Sequence, residues 1–177
     1  MWLTILDKMQ SVSDYQQHQL LWTFFKEEQA AGYSRPFCYR DTGDQIIMLS
    51  NTEPSTSSKE VRFVVGQQLM FECRASLNKR RTMDRIIYPQ DYTAEQTKDW
   101  IKRRLDGAAT VDYVAYKSMP PHIVIKNNGH KMPLSQVLFF GTLTITDATL
   151  FDEKISTGIG QGGAFGFGAM MLPEVMK

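Results

Sequence analysis

The chain has 177 residues, 42% apolar and 22% charged, a composition that sustains a buried core and excludes disordered and collagen-like chains. Its formal net charge of +1 divides into −3 over residues 1–60, +6 over 61–131 and −2 over 132–177, so a basic middle third can meet a polyanion on one face. With no apolar run near the roughly 18–20 residues of a membrane span, no basic-then-apolar leader pattern in Met1–Lys8 and only Cys38 and Cys73, the expectation is a soluble, cytoplasmic protein with reduced thiols and no membrane association.

In chain order, Trp2–Leu6 predicts a short strand. Ser13 or Asp14 can cap a helix running to about Ala31, ended by Gly32 and followed by Arg35-Pro36. Phe37–Arg40, a turn at Asp41–Asp44 and Gln45–Leu49 read as a hairpin. Asn51–Lys59 is a polar loop, and Val61, Phe63 and Val65 alternate with Arg62 and Val64 as a further strand. From Gln68 a second series begins. Leu69, Phe71, Cys73, Ala75 and Leu77 have the period-2 pattern of a half-buried strand, and a basic loop, Asn78–Arg85, follows. Thr93-x-x-Gln96 has capping-box spacing and opens a helix to about Leu105, with Thr97, Ile101 and Leu105 on one face and Lys98, Lys102 and Arg103 turned away. Val111–Lys117, His122–Lys126 and Leu134–Thr146 read as strands, and Asp147–Ile155 as a short helix. A glycine-rich loop, Gly158–Gly168, leads to a last apolar strand, Ala169–Leu172.

This order is β-α-β-β-loop-β followed by β-α-β-β-α-β. It predicts an α+β protein of two tandem ferredoxin-like (RRM-like) βαββαβ domains, residues 1–66 and 67–177, the first with its second helix reduced to a loop.

Three constellations carry potential chemistry. Tyr15 and His18 lie three apart, one turn from each other on the first predicted helix. A partly desolvated imidazole titrates near neutral pH, and a phenol can orient or donate, so the two form a candidate acid/base pair; the alternative is a histidine and tyrosine packed at the edge of the core. The loop from Gly158 to Gly168 holds six of the twelve glycines, among them Gly158, Gly160, Gly162 and Gly163. Its literal GxGxxG lacks the following helix and acidic residue of a dinucleotide fold. It can still bring backbone N–H groups close to a phosphodiester. The basic residues form two clusters, Arg74/Lys79/Arg80/Arg81/Arg85 and Lys98/Lys102/Arg103/Arg104, with Lys126, His130 and Lys131 before the long strand. Three histidines without HExxH spacing, and no paired carboxylates at ligand spacing, offer no metal site. Phe165 and Phe167 could also serve as stacking platforms for single-stranded RNA.

Taken together, Tyr15-Gln16-Gln17-His18-Gln19-x-Leu21-Trp22, Phe71-Glu72-Cys73-Arg74-Ala75 with Asn78 and Lys79, Leu105–Val111, Gly141–Ala148 and Gly158–Gly168 resemble the CRISPR-associated endoribonucleases of the RAMP superfamily that process precursor CRISPR RNA, most closely the CasE-like branch. The resemblance implies metal-independent cleavage, without cofactor, at the 3′ base of a repeat stem-loop, with the RNA 2′-hydroxyl as nucleophile and a 2′,3′-cyclic phosphate as product. It implies His18 as principal acid or base, Tyr15 orienting the phosphate and Lys131 stabilising phosphorane charge. Arg74, Lys79, Arg80, Arg81, Arg85, Lys98, Lys102 and Arg103, with Gly158, Gly160, Gly162 and Gly163, would hold the RNA. Its partners would be the repeat RNA and other subunits of a class 1 CRISPR effector complex. A non-catalytic subunit that binds the crRNA hairpin remains the alternative.

Overall fold

The computed structural model describes residues 1–8, 12–77, 79–80, 86–87, 92–125 and 131–176. The first half contributes β1 (Trp2–Asp7), α1 (Asp14–Trp22), α2 (Lys26–Ala30), β2 (Phe37–Asp41), β3 (Gln45–Ser50) and β4 (Lys59–Glu60). These strands form one antiparallel sheet in the order β2-β3-β1-β4. The second half contributes β5 (Gln68–Ala75), β6 (Lys79–Arg80), β7 (Ile86–Ile87), α3 (Ala94–Leu105), β8 (Ala109–Ile125), β9 (Lys131–Ile145), α4 (Ala148–Thr157) and β10 (Met170–Met171). Its main sheet has the order β10-β5-β9-β8, while β6 and β7 pair with each other. In both main sheets the first strand lies between the third and the fourth. The two halves are therefore tandem ferredoxin-like units, the first without its second helix.

Three expectations about elements need correction. The first helix does not run to Ala31 but ends at Trp22 and restarts at Lys26. Thr23 caps α1 through a hydrogen bond from Oγ1 to the Leu20 carbonyl (2.7 Å). The Phe24 carbonyl accepts from both the backbone N–H (3.0 Å) and the hydroxyl (3.1 Å) of Ser55. The break lets Phe25 stack on Phe37 with ring centroids 5.1 Å apart. The strand expected at 61–65 is absent, and its pairing passes to Lys59 and Glu60, which face Leu3 and Trp2. Val61 and Phe63 are nonetheless buried, so their alternation reports burial rather than sheet. Finally, Val111–Lys117 and His122 onward are one strand: β8 continues through Pro120-Pro121 beside β9, with irregular register between Met119 and His122.

The main apolar core crosses both sheets. Leu3, Cys38 and Leu49 from the first join Phe71, Ile101, Phe139, Phe151 and Ile155 from the second. Each such large apolar side chain contributes roughly 1.5–3 kcal/mol on full burial. Two local features bear on the site. In α3, Thr97, Trp100, Ile101 and Leu105 are buried at helical spacing, behind a complete Thr93–Gln96 capping box, and Trp100 stacks on Phe139 at 5.7 Å and 6°. In α1 only Gln17 and Leu21 are buried, so this helix depends on its own cap and on what packs against its side.

Candidate active site

The N-terminus of α1 is closed by a reciprocal capping box: Gln16 N–H donates to Ser13 Oγ (3.3 Å), and Ser13 N–H donates to Gln16 Oε1 (2.9 Å). Such a cap contributes about 1 kcal/mol and starts the helix where Tyr15 stays open to solvent, 39% exposed, while His18 turns inward. The His18 ring lies 5.9 Å from Phe37 and edge-on to Trp22 at 6.4 Å. Trp22 donates its indole N–H to His18 Nε2 (3.3 Å), so the neutral ring carries its proton on Nδ1. That nitrogen is buried and has no hydrogen-bond partner among the described residues. Burial, and then the positive charge of Arg35, pull the His18 pKa down to about 4. The expected titration near neutral pH is thus displaced downward, and at neutral pH the imidazole is uncharged.

Arg35 lies against the same phenyl ring, its guanidinium carbon 5.7 Å from the Phe37 centroid. It donates to the Thr157 carbonyl (3.4 Å) and fills the space beside Gly163, where any Cβ would collide with Nη2. Sequence reasoning saw Arg35 only as part of a helix terminator. Its position beside His18 depends on a turn more than a hundred residues away.

The glycine segment is a formed structure. It contains a 3-10 turn, Gly163–Phe165, flanked by left-handed Gly162 (φ 81°) and Gly166 (φ 76°), and it packs against α1. Tyr39 donates its hydroxyl to the Ala164 carbonyl (2.8 Å). Gly168 N–H donates to the Arg74 carbonyl (2.8 Å), and the Gly168 carbonyl accepts from Ile159 N–H (2.8 Å). Arg74 itself lies over the Phe167 ring at 4.9 Å, with Nη2 3.5 Å from the Gly166 carbonyl. It is half-buried and braces the loop from beneath. Gly160 closes against the Trp100 indole and so joins the loop to α3. Gly158 abuts Cys38, whose thiol, like that of Cys73, is pushed up to about 12 by burial.

The stacking role considered for Phe167 is overturned, and Phe165 keeps only part of its ring open. Phe167 is fully buried and Phe165 half-buried, because the β8–β9 ribbon closes over them with Val124, Leu134 and Met132. The same ribbon brings in a histidine that the sequence reading passed over. His122 Nε2 lies 2.7 Å from Asp14 Oδ2, with its ring 5.9 Å from Phe167, and this pair ties the ribbon to the first residue of α1.

The expected basic residues divide by position. Lys98, Lys102 and Arg103 line the exposed side of α3, Lys102 pairing loosely with Asp99 at 3.8 Å, and Arg104 lies over Trp100 at 5.3 Å. Lys79 and Arg80 form β6, whereas Asn78, Arg81, Arg85, Lys126 and His130 lie outside the described residues. Lys131 is exposed at the outer end of the ribbon, opposite Ile125. Cross-strand partners share a face and successive residues alternate, so Lys131 stands with Ile123 and Ile125 on the side away from the Val124 and Leu134 face that packs on Phe167. The structure thus packs the helix that carries Tyr15 and His18 against the glycine turn, and puts Lys131 on the ribbon face turned away from Phe167.

The chain matches the model of a family described as CRISPR associated protein over residues 6–173. It is 29% identical over 184 residues to the CRISPR system Cascade subunit CasE of Escherichia coli strain K12, covering 89% of this chain and 90% of that one. The fold is shared with the CRISPR endoribonuclease Cse3 bound to a 19-nucleotide RNA (TM-score 0.79, 21% identity, 97% of this chain and 99% of that one). It is also shared with Cas6e from Escherichia coli K-12 (TM-score 0.70, 24% identity, 97% and 98% covered). Since the family match runs almost from end to end, the chain belongs to the CRISPR-associated protein family, on its CasE-like branch.

Proposed function

We propose that this protein is a metal-independent endoribonuclease that cuts CRISPR repeat RNA at the 3′ base of its stem-loop, releases mature crRNA ends and stays bound to the hairpin. The observation that carries the reading is that α1, which holds neutral His18 and solvent-facing Tyr15, packs against the Gly163–Phe165 turn. Relatives named as a CRISPR endoribonuclease bound to RNA and as a Cascade subunit support it. In the reaction His18 takes the proton as the 2′-O–H bond breaks and the 2′-oxygen bonds to phosphorus. The P–O5′ bond then breaks, and the imidazolium returns the proton to the leaving 5′-oxygen. The products are a 2′,3′-cyclic phosphate and a 5′-hydroxyl. Tyr15 donates to a non-bridging phosphate oxygen, and the RNA supplies the nucleophile from within, so that holding it in line is the main task of the protein. His18 reaches the sugar when its bond to Trp22 is exchanged for one to RNA.

Lys98, Lys102 and Arg103 on α3, together with Lys79, Arg80, Arg81 and Arg85, hold the phosphates of the A-form stem, and Lys131 holds backbone at the ribbon tip. In this reading the domains meet at residues 66–67, the protein works in the cytoplasm, and it joins other subunits of a class 1 CRISPR effector complex. Incubating repeat hairpin with wild type and His18→Ala in EDTA tests the catalysis: wild type should cleave and the variant should not. A second reading, a hairpin-binding subunit without cleavage, is favoured by one observation, the engagement of Nε2 with Trp22 and the burial of Nδ1. It predicts tight, salt-sensitive hairpin binding with intact RNA from both proteins.

A further inference from the structure

In-line attack on a phosphodiester places additional negative charge on the non-bridging oxygens, and a preorganised cation beside the reacting phosphorus is among the largest contributions a protein can make. That cation has to sit within reach of the atom His18 serves. Lys131 stands at the far end of the ribbon, on the face turned from the glycine loop. Arg74 is beneath the loop, committed to the Phe167 ring and the Gly166 carbonyl. One arginine does share the neighbourhood of His18. Phe37 is flanked by the His18 ring at 5.9 Å and by the Arg35 guanidinium at 5.7 Å, and the charge of Arg35 is felt at the imidazole.

The surroundings hold Arg35 in place. Thr157 accepts from Nη2, the Phe37 ring centroid lies 5.7 Å from the guanidinium carbon, and the missing side chain of Gly163 leaves the volume the guanidinium occupies. Its Nε–H is buried with no acceptor among the described residues. A buried donor without a partner is unfavourable, a penalty that an incoming anionic oxygen would relieve. The guanidinium fork also matches phosphate geometry in a way a lone ammonium does not.

We propose that Arg35 is a catalytic residue of this site, its guanidinium set between Phe37 and Gly163 to neutralise the phosphorane formed beside His18. The inference rests on the endoribonuclease reading above and adds the group that carries the charge. It also assigns a role to Gly163: the glycine leaves room for a cation that comes from another element. A side chain at position 163 would displace the guanidinium, so Gly163→Ala and Arg35→Ala should fail in the same way.

The test is single-turnover cleavage of the repeat hairpin by wild type, Arg35→Ala, Arg35→Lys, Gly163→Ala and His18→Ala. Affinity is measured in parallel on a hairpin carrying a 2′-deoxy nucleotide at the scissile position, which cannot react. Arg35→Ala should slow cleavage about 10²–10³-fold, with the dissociation constant changed by less than about threefold. Added guanidinium ion should restore part of the rate, and urea should not. Arg35→Lys keeps the charge without the fork and should fall between. If Arg35→Ala loses its circular dichroism signal, the lysine variant and guanidinium rescue of Gly163→Ala decide the matter. Wild-type cleavage by Arg35→Ala, or a loss that only follows weakened binding, overturns the role of Arg35 while leaving the enzyme reading intact, provided His18→Ala is dead. A wild type that binds and never cuts overturns both.

Discussion

Trp22 and His18 lie one helical turn apart on α1, and the indole N–H of the first donates to Nε2 of the second over 3.3 Å. Only the neutral imidazole can accept that bond, so Trp22 fixes the tautomer as well as the orientation of the ring. The sequence motif contains both residues at a spacing of four, the spacing at which helical side chains meet. Phe37 then limits how far either ring can turn, with Trp22 edge-on to it at 5.5 Å.

Trp22→Phe keeps an aromatic ring and removes the donor. We expect the His18 titration, followed through its ring proton resonances by NMR, to move upward from about 4, and stability to fall by about 1 kcal/mol, the net contribution of one hydrogen bond. An unmoved titration would mean that the bond does not hold the neutral form.

The depressed pKa of His18 also has a consequence for stability. In the unfolded chain its pKa is near 6.5 and in the folded chain about 4. The unfolded state therefore binds the proton more readily between these values. The stabilisation is complete above about pH 6.5 and is lost as the pH falls toward 4. Because the ring is only half-buried, solvent screening reduces the effect to about 1–2 kcal/mol. Urea denaturation at pH 7 and pH 4.5 should show wild type losing that much more than His18→Gln, which has no proton to gain.

Binding of the hairpin should depend steeply on salt, through the cations on the outer side of α3. Each phosphate contact removed lowers the slope of log K against log salt by roughly one. Lys98→Ala and Lys102→Ala should each reduce it by about that amount, measured by filter binding across a salt series. Gly160 closes against Trp100 on the buried face of the same helix. An unchanged slope in both variants would move the RNA away from α3.

Much of this molecule could be read locally. The Thr93 cap and the burial of Thr97, Ile101 and Leu105 are consequences of helical spacing within a dozen residues. The alternation of β5 needs only its own eight. His18 and Tyr15 were found from residue type and spacing on one helix. The readings that failed depended on distant partners. Phe24 and Phe25 continue the apolar arc of α1, and the helix breaks there because Ser55 takes the Phe24 carbonyl and Phe37 takes the Phe25 ring. Phe165 and Phe167 look exposed in a glycine loop until Val124, Met132 and Leu134 pack against them. Pro120-Pro121 looks like a break, yet Gln136 donates to the Pro120 carbonyl (2.8 Å) and β8 continues.

The two ferredoxin-like units and the candidate acid/base helix are legible in the residues alone, because capping, periodicity and residue chemistry act over short stretches of chain. Which charge acts on His18, which face Lys131 presents and how the glycine segment is held emerge from long-range packing. Those outcomes depend on pairs such as Arg35 with Gly163 and Asp14 with His122, more than a hundred residues apart, whose contact is set by packing of the two sheets and leaves no local periodic signal.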